Sequence, residues 1–453
     1  MRNSPLCPLL IAALVLAPAC RPATVPDQLR ARALPVASLE AEHPPDDLVP
    51  VAELIGDARV VFIGESRHNG REHMLFRRRL IELLVTKAGF DAVALEEPMP
   101  EARLLDRHVT QGEGDAADIL ARSGNWFIWN TREMLGLVRW LSEYNAGQEP
   151  VDQVRIYGLD ITTPGTALQH VLAFLKRADP EALAMTGTAL GQDLFDPRAW
   201  TGTMANYAEL TETRRAELSR AYDALVKLLD DNRERYVAAT SSDEFAWARR
   251  EAYAAREANR LFSTARPGPP DPASYRAGGC IREKAMADNL RWVLEREGPD
   301  ARVIVLAHNV HVGRALVDVE VPGRPAMESI PSIASLLQPD LGEAVFTIGC
   351  TYGAEVEADT AARSAEPATL DAMLDRVGLP AYVLPVSDMP RRTRAGRWLA
   401  KRRAMQAEGG LAWCVPAETY DALFHTDRLQ RTRPIATAAE PEARTEPGPG
   451  GAR

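Results

Sequence analysis

Residues 58–65 read ARVVFIGE: a short run of Val, Phe and Ile that stops abruptly at a glycine and an acid. A run of that length and composition reads as a strand buried on both faces. Three other runs share the pattern. DAVALE (91–96) ends at Glu96, VRIYGLD (154–160) at Asp160 and RVIVLAH (302–308) at His308. Stretches with helical spacing follow three of the four, which predicts an α/β fold: a central, mostly parallel sheet with flanking helices, joined by crossovers. Ligands of open parallel sheets bind beyond the carboxyl ends of the strands, so three acids and a histidine are expected at one rim. Any one of them is equally well read as a cap on the helix that follows; the four together point to a site.

The segment that continues from the first strand is the densest in chemistry. It reads GESRHNGREHMLFRRR (64–79), with Glu65 and His68 three residues apart. A carboxylate beside a histidine fixes its tautomer and raises its basicity, which suits a general base. AHNVH (307–311) repeats that spacing with His308 and His311, in a chain holding only 8 histidines. Glu96 is expected to face the rim and Glu97 to face solvent. Of Arg77, Arg78 and Arg79, consecutive on a helix, one can reach the pocket and the others are read as a solvated face. Arg282 and Glu283, before the helix that feeds the fourth strand, can also point inward. The chain has no G-x-S-x-G, Walker A, G-x-G-x-x-G or H-E-x-x-H motif, and Ser66 lacks the glycines of a nucleophile elbow. Two chemistries remain: a histidine activates water directly, or a zinc or manganese ion held by Glu65, His68, Glu96, His308 and His311 does so.

Further out, 46–57 reads as a short helix, 72–87 as a helix ended by Gly89, and 101–109 and 131–144 as two more. From about 180 to 265 charged helical sequence takes over, with apolar stripes Leu218, Tyr222, Leu225, Leu229 and Phe245, Ala248, Ala252, Ala255. This predicts an inserted helical hairpin forming part of the cleft, against the plainer reading of a helical extension. AVFTIGC, AYVLPV and LAWCVP are expected to be further strands. The domain is bounded at 47–428, with a disordered tail over 429–453 rich in Pro, Gly, Ala and Glu.

The first residues read as an export signal: Arg2, an apolar run over 9–17, then Pro18-Ala19-Cys20. The run is too short to span a bilayer. LAPAC resembles a bacterial lipobox, which predicts a signal peptide over 1–19, a lipidated Cys20, a flexible tether over 20–46 and a membrane-anchored or periplasmic protein. Plain cleavage would release a soluble one. The 453 residues are 46% hydrophobic and 26% charged, an ordinary globular composition, and a net charge of −10 argues against nucleic acid as a partner. Cys280, Cys350 and Cys414 lack metal-site spacing and read as small buried residues.

GESRHNG, the helix with Arg77, ALE at Glu96, WLSEYN, YGLD at Asp160, MADNLRW from Met286 and AHNVH occur here in an order that resembles the erythromycin esterase family. The resemblance implies an α/β fold with a deep cleft and ester hydrolysis without a covalent serine intermediate or an essential metal. It implies His68 as the general base, Glu65 and Glu96 assisting it, His308 as a second active-site histidine and Arg77 as an active-site arginine. His311 matches a family position; with Arg77, Asp160 and Arg282 it is assigned to substrate binding. The expected protein is an exported esterase or lactonase for a small-molecule ester, a macrolide lactone such as erythromycin among the candidates. The alternatives are a metal-dependent hydrolase on the same cluster, or a lipoprotein that binds a small molecule without turnover.

Overall fold

The computed structural model describes residues 23–121, 126–187, 189–196, 200–269, 271–357 and 362–435. The signal peptide expected at 1–19 and the lipidation site Cys20 lie outside these residues. The strands, in chain order, are β1 (Leu34–Pro35), β2 (Val60–Ile63), β3 (Ala92–Pro98), β4 (Arg155–Asp160), β5 (Val303–Leu306), β6 (Val317–Glu320), β7 (Met327–Ile330), β8 (Val345–Val356), β9 (Arg363–Ser364), β10 (Ala381–Pro385), β11 (Arg403–Ala407), β12 (Gly410–Cys414) and β13 (Ala422–Gln430).

The larger sheet runs β1-β10-β13-β8-β2-β5-β3-β4, with β9 paired to β8. Its strands from β13 to β4 are parallel; β9 and β10 run opposite to them, and β1 pairs antiparallel with β10. β2, β3 and β5 alternate cleanly between two cores. Val60, Phe62, Ala92, Ala94, Val303 and Val305 face one, with Met286 and Leu290 of the helix Pro272–Glu297. Val61, Ile63, Val93, Leu95, Ile304 and Leu306 face the other, with Phe76 and Leu80 of the helix Arg71–Ala88. Both faces are covered, so these strands carry no polar side until they reach the rim. The chain passes from β2 to β3, returns later to insert β5 between them, and then adds β8 on the far side of β2. Ligands of such sheets bind beyond the strand ends where the strand order reverses in this way.

Helix boundaries follow local chemistry. Gly89, at φ 64°, ends Arg71–Ala88 with its N–H on the Leu84 carbonyl. The Thr131 side chain caps Arg132–Asn145 by accepting the Met134 N–H. Beyond the large sheet, β11-β12-β6-β7 form a smaller antiparallel sheet, of which only β12, within LAWCVP, was expected as a strand.

Three boundaries differ from expectation. Residues 23–46 are no tether: Thr24 forms a capping box on the helix Val25–Arg30, Leu29 is buried, and Leu34 pairs with Val383. Arg30 also donates to the Val377 carbonyl at 2.6 Å. The tail expected from 429 starts later. β13 runs to Gln430, Thr432 N donates to the Asn69 carbonyl at 2.8 Å, and Arg132 N to that of Arg433 at 2.7 Å. Residues from 436 onward lie outside the described ones. The helical insert begins at Pro164, directly after β4, rather than near 180. Its hairpin, Glu212–Asp231 and Ser242–Phe262, shares a core with Pro164–Ala178 through Phe174, Tyr222, Leu225, Tyr236 and Phe245. The insert sits on the helix that leads to β5: Arg250 Nε donates to Asn289 Oδ1 at 2.7 Å, and Asn289 in turn bonds the Leu159 carbonyl beside Asp160.

Candidate active site

The site forms where β2, β3, β4 and β5 end. After β2 comes Gly64, whose backbone lies so close to Asn309 that no side chain fits. Glu65 follows, buried, with each carboxylate oxygen engaged. Oε1 accepts from Nδ1 of His68 at 2.8 Å, and Oε2 from Nη1 of Arg77 at 3.0 Å. Burial pushes the Glu65 carboxyl up, but the Arg77 charge and the His68 hydrogen bond prevail and hold it at about 2.

Arg77 was assigned to substrate binding; in the structure its donors are engaged inside the protein. The side chain is wholly buried. Besides Glu65 it donates to the carbonyls of Gly64 at 3.2 Å, Ile63 at 3.0 Å and Ala307 at 2.7 Å. It therefore ties the ends of β2 and β5 together and braces Glu65. Arg79, read as part of a solvated face, is likewise buried and forked onto Asp47 at 2.7 and 3.1 Å. A guanidinium can enter a core when carbonyls and carboxylates meet all its donors.

His68 remains 16% exposed, more than the other histidines of the cluster. Burial alone would lower its pKa, but the hydrogen bond and charge of Glu65, with Glu96 and Glu408 nearby, raise it above the usual value. With Nδ1 turned to Glu65, the neutral ring carries its proton there and its lone pair on Nε2. The His308 ring stands 5.2 Å from it, centroid to centroid, tilted by 58°. His308 Nε2 donates to the Ser66 carbonyl at 3.1 Å, and Nδ1 accepts from Val310 N at 3.4 Å. Burial and the neighbouring charges of His68 and His311 push His308 down to about 3, so it is neutral near pH 7.

The second half of the site centres on Glu96. Its Oε2 accepts the His308 backbone N–H at 2.8 Å. Its Oε1 accepts Nη2 of Arg282 at 2.9 Å and faces Nε2 of His311 at 3.1 Å. Arg282 also grips Asp160 with Nε at 3.0 Å and Nη2 at 2.8 Å. Glu283, one residue further along the helix, holds Nδ1 of His311. Burial disfavours charge on His311, but Glu283 and Glu96 on either side raise it to about 10, so it stands as an imidazolium. Burial opposes ionisation of Glu96 and Asp160 too; His311 and Arg282 win, and both carboxyls are lowered. Arg282 keeps 25% of its side chain exposed and presents positive charge at the rim.

All eight candidate residues other than Cys20 thus meet at one rim, with Arg77 beneath it. Glu97, expected in solvent, is buried. Ser66 is buried as well, its hydroxyl without a hydrogen-bond partner and its carbonyl the functional group. Glu65 and Glu96 face arginines, both ring nitrogens of His311 face carboxylates, and no group of three or more His, Cys, Asp or Glu among the described residues is arranged to hold a metal ion. Two contributors went unread. Asn309 donates its own N–H to the Glu65 carbonyl at 2.8 Å and bonds Cys350 N and O at 2.9 and 2.7 Å. Glu408, on a hairpin of the smaller sheet, accepts the His68 backbone N–H. The sequence EGG at 408–410 signals a turn, but nothing local says where that turn docks.

Fold and site together define an α/β protein with an acid–histidine–arginine centre at the carboxyl edge of a parallel sheet. Solved structures share the fold. One described as a succinoglycan biosynthesis protein has a TM-score of 0.74 at 20% identity, over 91% of this chain and 98% of its own. A histidine-to-asparagine mutant of the erythromycin esterase EreC, in its open conformation, has a TM-score of 0.67 at 16% identity, over 87% and 97%. Erythromycin esterase type II of Escherichia coli is 26% identical over 282 residues, 59% of this chain; the chain spans 64% of that relative's length. The erythromycin esterase family model matches residues 85–429, and the chain belongs to that family. Among the described residues no helix is long and apolar enough to cross a membrane.

Proposed function

We propose that this chain is a hydrolase that splits a carboxylic ester or lactone with water, using His68 as general base. The observation that carries the reading is the Arg77–Glu65–His68 relay: an ionised, braced carboxylate orients the most exposed histidine of the cluster. His68 Nε2 takes a proton from water as its oxygen bonds to the carbonyl carbon. The carbonyl electron pair moves to oxygen, giving a tetrahedral oxyanion near the positive charge of Arg282 and His311. Collapse re-forms the carbonyl and breaks the C–O bond, and His68 returns its proton to the leaving oxygen. Acid and alcohol result, or a hydroxy acid when the ring of a lactone opens. His308 stays neutral and Glu96 ionised; both act by holding neighbours rather than by moving protons.

Family membership and the name of the Escherichia coli relative put a macrolide lactone among the substrates to test. The full chain without residues 1–19 would be incubated with erythromycin, simple lactones and simple esters, and followed by mass spectrometry. Addition of one water to a substrate, abolished in His68→Ala and indifferent to EDTA, is expected. Equal turnover by His68→Ala would overturn the role of His68. The LAPAC stretch supports export with lipid on Cys20. Incorporation of a labelled fatty acid, lost in Cys20→Ala, is the expected result, and no incorporation would refute it.

A further inference from the structure

The hairpin of β11 and β12 is far from His68 in sequence and touches it in space. Ala407 pairs with Gly410, leaving Glu408 and Gly409 as a two-residue turn. Both have left-handed φ, 45° and 76°, as tight hairpin turns require. The first of those positions ordinarily goes to Asn, Asp or Gly, and a glutamate held there is uncommon. Turn chemistry therefore does not account for this residue; its contacts do. The Glu408 N–H donates to the Ser66 carbonyl at 3.0 Å, and its Oε1 accepts the His68 N–H. The same Ser66 carbonyl receives Nε2 of His308. Glu65 thus holds the ring of His68, while Glu408 holds its backbone and the peptide group that orients the neighbouring histidine. The hairpin is anchored in turn: Gln406 N donates to buried Asp371 at 2.9 Å, and β12 pairs with β6. An uncommon backbone conformation kept beside a reactive group is a recurrent mark of function.

We propose that Glu408 is a positioning residue for His68, and that through it the β11–β12 hairpin sets where the imidazole stands in the cleft. For its effect on turnover this rests on the hydrolase reading above. The competing reading is a staple between the two sheets, with no bearing on chemistry.

Two variants separate them. Glu408→Gln keeps an acceptor oxygen; Glu408→Leu keeps bulk and removes it. With 8 histidines in the chain, selective 15N-histidine labelling resolves the His68 amide, and His68→Ala assigns it. Wild type and the Gln variant are expected to protect that amide from hydrogen exchange, and the Leu variant to lose protection. The Leu variant should lose about tenfold or more in kcat with KM nearly unchanged, and the Gln variant should recover most of it, because a misplaced base weakens only the chemical step. A staple would lower the melting temperature and leave kcat alone. Full turnover by a folded Leu variant overturns the proposal, as does an unprotected His68 amide in wild type. If the Leu variant does not fold, Glu408→Ser takes its place. Should the wild type hydrolyse no ester, the hydrolase reading falls, and the exchange measurement still decides whether Glu408 holds the His68 backbone.

Discussion

Oδ1 of Asn309 occupies the space that a side chain on Gly64 would need: a Cβ added to Gly64 would lie 2.1 Å from it. Close packing of backbone against carboxamide lets Asn309 reach both polar groups of Cys350 and join the ends of β2 and β5 to the middle of β8. Gly64→Ala must push Asn309 away and leave buried groups of Cys350 unpaired. The expected loss is about 2–4 kcal/mol, combining overpacking with lost hydrogen bonds. A denaturant midpoint equal to that of wild type would disprove the close fit.

His68→Ala removes the base and leaves Glu65 braced by Arg77. Its kcat/KM should fall by about 10²–10⁴, the usual worth of general-base catalysis, with little change in thermal stability. A parallel collapse of the melting transition would show that His68 is structural instead.

The pH profile follows from the raised pKa of His68. A protonated imidazole accepts no further proton, so kcat/KM should decline with acid from a point above the ordinary histidine range near 6.5. Burial opposes the charge and Glu65 favours it. Glu65→Gln should therefore move the acid limb to lower pH, and an unmoved limb would mean that Glu65 does not set the basicity of His68.

His73 predicts an acid weakness elsewhere. It is buried on the helix Arg71–Ala88, its Nε2 on the Thr351 carbonyl at 3.4 Å and its Nδ1 unpartnered, and burial lowers its pKa to about 4. The unfolded chain takes up this proton near pH 6.5, whereas the folded chain resists until about 4. Stability from this group is present above 6.5 and drains away as the pH falls through that window, by about 1.4 kcal/mol per pH unit. His73→Leu should flatten the slope of unfolding free energy between those limits. An unchanged slope would assign the acid sensitivity to other groups.

Arg282→Met would leave Glu96 and Asp160 facing each other without their shared cation. Breaking a buried ion pair on one side destabilises by about 3–5 kcal/mol. Asp160→Asn in the same chain should restore part of this loss, because it removes one of the stranded charges. If the double variant were no more stable than Arg282→Met, the two carboxylates would not be coupled.

The strand ends were legible because each apolar run stops at a titratable residue, and Glu65 with His68 because their contact is local. Arg77 was readable as present but not as buried: helical spacing shows which face is apolar, and cannot show that a guanidinium will meet four acceptors inside it. Glu97 misled for the same reason, since alternation along a strand implies solvent only where the opposite face is open. Leu29 and Ile435 anchor segments whose composition suggested a tether and a tail. A single well-placed apolar side chain, with hydrogen bonds to a distant strand, outweighs a polar average. Glu408 and Asn309 act across hundreds of residues, and only the packed sheets bring them to their partners.

β2 lies between β5 and β8, so the strand that bears Glu65 has no sheet neighbour until the chain has grown past Val303. The loop around His68 acquires its last backbone partners only with Thr432. A ribosome that stopped after Thr419 would have made every candidate residue of the site and Glu408, yet not β13 or the bonds that close over Asn69. Such long-range closure slows folding and leaves apolar strands uncovered meanwhile. The site's backbone is therefore complete only when the last strand, β13, has joined β8 and Thr432 has reached Asn69.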